Sequence, residues 1–132
     1  MTDTILTDAK AFPSFSVNDI GKARTFYRDT LGLNVDDRME GLELDVGGGN
    51  KVFVYGKPNH QPATFTVLNF PVDNVETAVE KLKSTGVTFE QYDMPGIKTD
   101  ARGIARDPNG PAMAWFKDPA GNILSVLQER AD

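Results

Sequence analysis

The first half of the chain changes from a two-residue to a three-to-four-residue spacing of apolar positions and then back again. Residues 11–17 alternate as in a half-buried strand. The next stretch has the spacing of a helix that Asn18 or Asp19 begins and Gly32 ends. Three short strands are predicted to follow, at residues 34–37, 42–46 and 51–55. This half therefore predicts a strand, a helix and three strands.

The same order of patterns returns after a proline-containing linker at residues 56–63. A strand at 64–70 precedes a helix that Asp73 begins, with Glu76 three residues on as in a capping box. Three further strands are predicted at 87–91, 112–116 and 123–128. The sequence thus contains an internal repeat, in which the helix starts at 17–20 and 72–75 echo each other.

The second copy is interrupted by an insertion, residues 92–111, which contains three prolines and three glycines. Loops of this length in compact proteins are lids or binding loops, or else disordered excursions, and the sequence leaves both open. Arg102 and Arg106 lie in the insertion and offer donors to an anionic ligand, although solvated loop charges are more common. The triplet Gly47-Gly48-Gly49 is interpreted as a hairpin turn because no helix follows it.

Composition narrows the class of protein. The chain has 132 residues, 39% hydrophobic and 25% charged, which suits a single domain at 1–132. Repeat one spans about 10–56 and repeat two about 64–129. No apolar run approaches the ~20 residues of a membrane helix and no secretory signal is recognisable, so we expect a cytoplasmic protein without a membrane partner. The net charge of −5 disfavours nucleic acid, and the absence of cysteine excludes thiol catalysis.

Two segments resemble a known family. Phe26-Tyr27-Arg28-Asp29-Thr30-Leu31-Gly32-Leu33 has an aromatic pair before a leucine-glycine turn, and Asp118-Pro119 with Gly121-Asn122 precedes a short apolar strand. In this order they resemble the helix end and the last hairpin of the vicinal oxygen chelate superfamily, which includes glyoxalase I, extradiol dioxygenases and bleomycin-resistance proteins. The resemblance implies an α+β fold in which two βαβββ repeats form an incomplete curled barrel with a concave pocket.

Metal-using members of that family place His, Gln or Glu ligands on the first and last strand of each repeat. The resemblance puts those positions at Phe12, Val54, Val67 and Ser125, with Tyr55 replacing Val54 if the register shifts by one. Phenylalanine and valine donate nothing to a metal, and a lone hydroxyl is a poor ligand. We therefore expect no metal and no cofactor. His60, the only histidine, is interpreted as an exposed linker residue.

The resulting hypothesis is a metal-free small-molecule-binding module, in a homodimer whose pocket lies across the two chains. No catalytic residue is predicted. The predicted ligand-binding residues are Phe12, Ser14, Ser16, Tyr55, Val67, Asn69, Arg102, Trp115 and Ser125.

Three alternatives stay open. The bleomycin-resistance branch typically binds a cationic ligand, for which Glu43 and Asp45 are candidates, although such carboxylates more often form a solvated strand face. The second alternative is a glyoxalase- or dioxygenase-like metal-dependent lyase, isomerase or oxygenase with an unrecognised site. A third alternative is an interaction domain whose pocket has closed into a core.

Overall fold

The chain folds into two open four-stranded sheets, and helical segments pack on one side of each. The computed structural model describes residues 5–129. The first sheet contains β1 (Ser14–Val17), β2 (Asn34–Arg38), β3 (Gly41–Asp45) and β4 (Lys51–Gly56), in the order β1-β4-β3-β2. The second contains β5 (Thr66–Pro71), β8 (Ile104–Arg106), β9 (Ala112–Lys117) and β10 (Ile123–Gln128), in the order β5-β10-β9-β8. A separate hairpin joins β6 (Asp93–Met94) to β7 (Ile97–Lys98).

Both sheets have the same internal arrangement. The first strand of each half pairs in parallel with the last, β1 with β4 and β5 with β10, and the remaining pairs are antiparallel. Parallel neighbours require a crossover, and the helical segments provide it. The predicted α+β class with two related halves is confirmed.

The first helix is not a single α-helix. The α-helix α1 (Ile20–Thr25) is capped by Asp19, whose carboxylate accepts a hydrogen bond from the Lys22 amide at 3.0 Å. A π-helical turn, Phe26–Thr30, follows it, closed by the Leu31 amide donating to the Phe26 carbonyl at 2.9 Å. The predicted α-helix up to Gly32 is therefore wrong over its second half, although Gly32 ends it with a positive φ of 77°.

The second helix begins one residue later than predicted. Helix α2 (Val75–Ser84) is capped by Asn74, whose side-chain oxygen accepts from the Thr77 amide at 3.0 Å. The predicted cap, Asp73, is wrong. The cap is the residue whose side chain accepts a hydrogen bond from the amide three residues later, and here that cap is Asn74, which accepts from Thr77.

The core lies between the helical segments and one face of each sheet. Alternate strand residues point into it because side chains along a strand alternate between faces. The most deeply buried apolar strand residues are Val17, Leu42, Leu44, Val54, Ile104, Ala114, Phe116 and Leu124. The opposite faces of the two sheets are called the open faces below.

The edge of the second sheet differs from the prediction. The predicted strand at 87–91 forms only a single bridge, Phe89 to Phe116, and Ile104–Arg106, predicted as loop, is the edge strand instead. The chain leaves the sheet after Phe89 and returns at Ile104, so the insertion splits one strand position. Gly103 permits the return, because a Cβ there would lie 2.9 Å from the Cβ of Phe89.

A buried polar network joins the two halves. The Tyr27 hydroxyl donates to the Asp118 carboxylate at 2.7 Å, and the Asn122 amide donates to that carboxylate at 3.0 Å and to the Ser16 carbonyl at 2.9 Å. Tyr27, Asp118 and Asn122 are each at most 4% exposed. Burial, and then the Asp118 charge, raises the pKa of Tyr27, so the phenol stays protonated and keeps donating. The two motif segments singled out in the sequence thus contact each other.

His60 adds a second link between the halves, and its predicted exposure is wrong. The ring is half-buried, with Nδ1 2.6 Å from the Ser16 hydroxyl and Nε2 3.1 Å from the Ala120 carbonyl. A carbonyl only accepts, so Nε2 carries a proton. Within residues 5–129, no helix is long and apolar enough to cross a membrane.

Candidate functional site

The open face of the first sheet carries an aromatic platform. Phe53 and Tyr55 project from it two residues apart on β4, with ring centroids 6.2 Å apart and planes only 17° from parallel. Gly41, opposite Tyr55 on β3, leaves room for them. A Cβ at Gly41 would lie 2.7 Å from the Phe53 ring and would also clash with the Val54 carbonyl. The arrangement offers two nearly parallel aromatic rings for contact with a flat molecule.

Paired charges surround this platform. Arg38 contacts Glu43 at 3.3 Å, and Lys51 contacts Asp45 at 3.4 Å and Glu43 at 3.9 Å. Glu43 and Asp45 are therefore engaged by cations of their own chain. They do not form a free acidic patch, so the geometry favours an uncharged or amphipathic ligand over a purely cationic one.

A groove of about 860 Å³ runs along this open face. That volume lies within the range of ligand pockets. Phe12 and Met39, which are 63% and 91% exposed, lie along it with Phe53. Asn69, from β5 of the second sheet, also lines it, so the groove reaches from one half of the chain to the other.

The open face of the second sheet is centred on Trp115. Its ring meets that of Tyr92 edge-on, with centroids 5.6 Å apart and planes at 67°. Ser125 stands opposite Trp115 and is fully buried, with its hydroxyl donating to the Asn69 side-chain oxygen at 2.6 Å. Burial, and then the Glu90 charge, raises the pKa of Tyr92. The face therefore has an aromatic centre and one hydroxyl-amide pair.

The insertion folds over part of this second open face. Its hairpin, Asp93–Lys98, and the strand residues Ala105, Met113 and Trp115 enclose a cleft of about 420 Å³. The structure thus gives the insertion a fixed position over the sheet. The insertion contains a hairpin that lies over the sheet, and its role as a lid or binding loop stays a prediction.

Two arginines anchor the insertion to α2. Arg102 and Arg106 contact the two carboxylate oxygens of Glu76 at 3.0 and 3.3 Å. Asp100 shapes the turn that leads into β8, because its carboxylate accepts hydrogen bonds from the amides of Arg102 and Ile104. Burial raises its pKa, but the amide donors of Ile104 and Arg102 outweigh burial and hold the pKa below its usual value. Arg102, predicted to bind ligand, lies at this contact and not with the open-face residues.

The strand pairing corrects one position of the expected metal-ligand set. The helix caps Asp19 and Asn74 are 55 residues apart (74 − 19), which makes Ser14 and Asn69 equivalent. Ser14 pairs with Phe53, and Asn69 pairs with Ser125. The counterpart of Ser125 is therefore Phe53 and not Val54, which is fully buried on the helix side.

This set of side chains does not fit a metal. Phe12, Phe53 and Val67 have no donor atom, and the Ser125 hydroxyl is hydrogen-bonded to Asn69. Over residues 5–129, no group of three His, Cys, Asp or Glu side chains is close enough together to hold an ion. The chemistry of the side chains at these four positions is therefore that of contact and stacking, and not that of coordination.

The predicted ligand-binding residues fall into two main groups. On the first sheet, Ser14 and Ser16 stand opposite Phe53 and Tyr55. On the second, Trp115, Ser125 and Asn69 share the other open face. The remaining positions are Phe12 in the groove, Val67 at a bulge of β5 where it packs against the core, and Arg102 at Glu76.

Three residues of the site were missed by sequence reasoning. Phe53, Met113 and Tyr92 lie at the two aromatic centres. The alternation Lys51, Phe53, Tyr55 against Val52, Val54 was the signal for Phe53. Nothing in the local sequence placed Tyr92 beside Trp115, because their contact depends on the path of the insertion.

Comparison with known proteins agrees with this fold. The family model described as the Glyoxalase/Bleomycin resistance protein/Dioxygenase superfamily matches residues 11–126. No curated protein matches the sequence.

Solved structures provide further likenesses. A glyoxalase family protein from Bacillus anthracis superposes with a TM-score of 0.68 at 16% identity, covering 92% of this chain and 97% of that one. A bleomycin-binding protein complexed with bleomycin gives 0.67 at 22% identity, covering 92% and 99%. A lactoylglutathione lyase from Agrobacterium tumefaciens gives 0.64 at 19%, covering 92% and 93%. At these identities the likeness shows the fold alone.

Proposed function

This chain belongs to the Glyoxalase/Bleomycin resistance protein/Dioxygenase superfamily, and from that premise we propose that it is a metal-free protein that binds a flat amphipathic molecule on its open faces. The observation that carries the proposal is an aromatic side chain, that of Phe53, at a position where metal-using members of the family place a metal ligand. Phe53 stands at the position equivalent to Ser125, one of the four expected ligand positions, and its ring forms a platform with Tyr55. An aromatic ring at that position binds by stacking.

The polar groups near the platforms fit such a ligand. Ser14 and the amide of Asn69 are exposed, and they offer hydrogen bonds beside the apolar rings. Small-molecule sites are mostly apolar with a few such groups that fix orientation. The bleomycin-binding protein that shares this fold is complexed with bleomycin, which makes ligand capture a suitable function for the fold.

We also propose that the site is completed in a homodimer. Each open face exposes large apolar side chains, among them Phe12, Met39, Tyr55 and Met94. Exposed apolar patches of this kind mark binding or association surfaces. A first-sheet platform facing the Trp115 face of a second copy would enclose a ligand between two aromatic surfaces.

The test is a screen of flat aromatic compounds in which the melting temperature of the protein is the readout. Zn²⁺, Ni²⁺, Mn²⁺ and Fe²⁺ are titrated in parallel. A ligand at a hundred times its Kd adds about 3 kcal/mol to the stability of the folded state, a shift of several degrees. We expect a compound to produce that shift and metals to produce none. Phe53→Ala and Trp115→Ala should each abolish it.

Met39→Ala is the matched control, since Met39 is 91% exposed at the rim of the groove. We expect Met39→Ala to lower the affinity for the ligand less than Phe53→Ala does. A saturable shift at one metal per chain, with turnover that a chelator stops, would overturn the proposal in favour of a metal-dependent lyase, isomerase or oxygenase.

A further inference from the structure

A separate apolar crevice lies on the helix-covered side of the second sheet. It has a volume of about 410 Å³ and runs between the end of the π-helical turn and α2. One wall is Leu31 and Leu33, the other is Ala78 and Leu82, and Phe70 contributes to the floor. None of these residues lines the open-face groove, so the crevice is not part of the site described above.

The crevice is apolar but incompletely covered. Leu31, Leu33, Phe70, Val72 and Leu82 are half-buried and pack against the core from its edge. Half-buried apolar side chains that meet at one concavity form the usual lining of a small-molecule site.

The π-helical turn builds one wall. It allows the consecutive residues Phe26 and Tyr27 both to face inward, with ring centroids 5.2 Å apart, and Phe26 also meets Phe116 at 6.4 Å. The widened turn then carries Leu31 to the rim of the crevice. π-helical turns occur frequently at functional sites, which supports a role for this wall.

The charge at the mouth of the crevice is positive. Lys81 lies on the rim and forms no ion pair within residues 5–129. Asp29, also at the rim, is already held by Arg28 through two hydrogen bonds of 2.9 and 3.2 Å. The hydrogen bond from Arg28 lowers the pKa of Asp29, so that carboxylate stays ionised and neutralised. The ammonium of Lys81 is the charge left for a ligand.

We propose that this crevice binds a small amphipathic monocarboxylate. Its apolar body lies between Leu31, Leu33 and Leu82, and its carboxylate lies at Lys81. The volume is within the range of ligand pockets, and one cation at the mouth of an apolar cavity complements one anionic head group on an apolar body. The site is independent of the open-face ligand and does not require a second copy of the chain.

Octanoate, with 1-octanol as its uncharged analogue, is the probe, and amide NMR shifts are the readout. We expect saturable octanoate shifts at residues 29–33 and 78–85. Lys81→Met should lower the affinity for octanoate about tenfold and leave the affinity for 1-octanol unchanged. Lys83→Met, two residues on in the same helix but outside the crevice, is the matched control and should retain wild-type affinity.

A crevice-filling variant, Ala78→Trp, should abolish binding of both probes. The surface change Lys81→Met keeps the proposal testable if Ala78→Trp does not fold. Equal octanoate affinity in Lys81→Met and Lys83→Met would overturn it. Octanoate shifts confined to the Trp115 face, or an Ala78→Trp protein that loses a dimer present in the wild type, would also overturn it.

Discussion

At the scale of single residues, the hydrogen bond between Tyr27 and Asp118 gives the first prediction. Tyr27→Phe removes a buried donor to a carboxylate, which costs about 1.5 to 3 kcal/mol of unfolding free energy at neutral pH. Urea unfolding measures it. An unchanged midpoint in Tyr27→Phe would show that the bond adds nothing.

Tyr27 also makes the stability of the folded protein decline at alkaline pH. The pKa of Tyr27 is raised in the folded protein, chiefly by burial, so the unfolded chain loses the phenol proton first. Its contribution is complete below the unfolded pKa near 10 and declines above it, by up to about 1.4 kcal/mol per pH unit. Urea unfolding between pH 9 and ~11 should show a steeper decline for the wild type than for Tyr27→Phe. Parallel curves would contradict this.

Gly41 gives a second residue-scale prediction, because its missing side chain makes room for the platform. Gly41→Ala places a Cβ against the Phe53 ring and the Val54 carbonyl, and such overpacking costs about 1 to 3 kcal/mol. Stability in urea unfolding and ligand affinity should both be weakened.

Gly21→Ala is its control. Gly21 lies in α1 and an added Cβ meets only Asp19, at 3.4 Å, so stability should rise by up to about 1 kcal/mol. Equal losses of stability from Gly41→Ala and Gly21→Ala would show that the free space at Gly41 does not determine stability.

At the scale of elements, the insertion depends on its contacts with α2. Glu76→Gln weakens the ion pairs of Arg102 and Arg106, both half-exposed, so global stability should change by less than about 1 kcal/mol. Hydrogen exchange of residues 93–98 should nevertheless become faster, because the segment that follows the hairpin loses its anchor.

Glu80→Gln, one turn later on α2 and without an ion pair within residues 5–129, should leave that exchange unchanged. Protection that is the same in all three proteins would show that the hairpin is held by the Trp115 face alone.

The elements also show where sequence reasoning failed. The strand Ile104–Arg106 has three residues, too few to reveal an alternation, and it exists because β9 offers unpaired backbone groups beside it. The π-helical turn was predicted as α-helix because the two differ by one hydrogen-bond step, which depends on how Phe26 and Tyr27 pack. The other strands of the two four-stranded sheets were predicted from alternation and turn residues.

At the scale of the whole molecule, Asn122 holds the two halves together. Asn122→Ala removes amide bonds to Ser16 and Asp118 inside a buried network, which should cost about 2 to 3 kcal/mol. Thermal unfolding measures the loss. Asn109→Ala, exposed in the insertion, should leave the melting temperature unchanged, and similar effects from both would remove Asn122 from this role.

The sequence by itself determined the family and the two related halves, and it showed that Phe12 and Val67 carry no metal donor and Ser125 only a hydroxyl. Alternation, turn residues and side-chain chemistry are local properties, which is why the sequence was enough. Only the tertiary structure decided that Phe53 matches Ser125, that His60 links the halves and that Arg102 pairs with Glu76. Each of these conclusions rests on contacts between residues distant in the chain. Strand register and the path of the insertion set such contacts, and those depend on the packing of the whole fold.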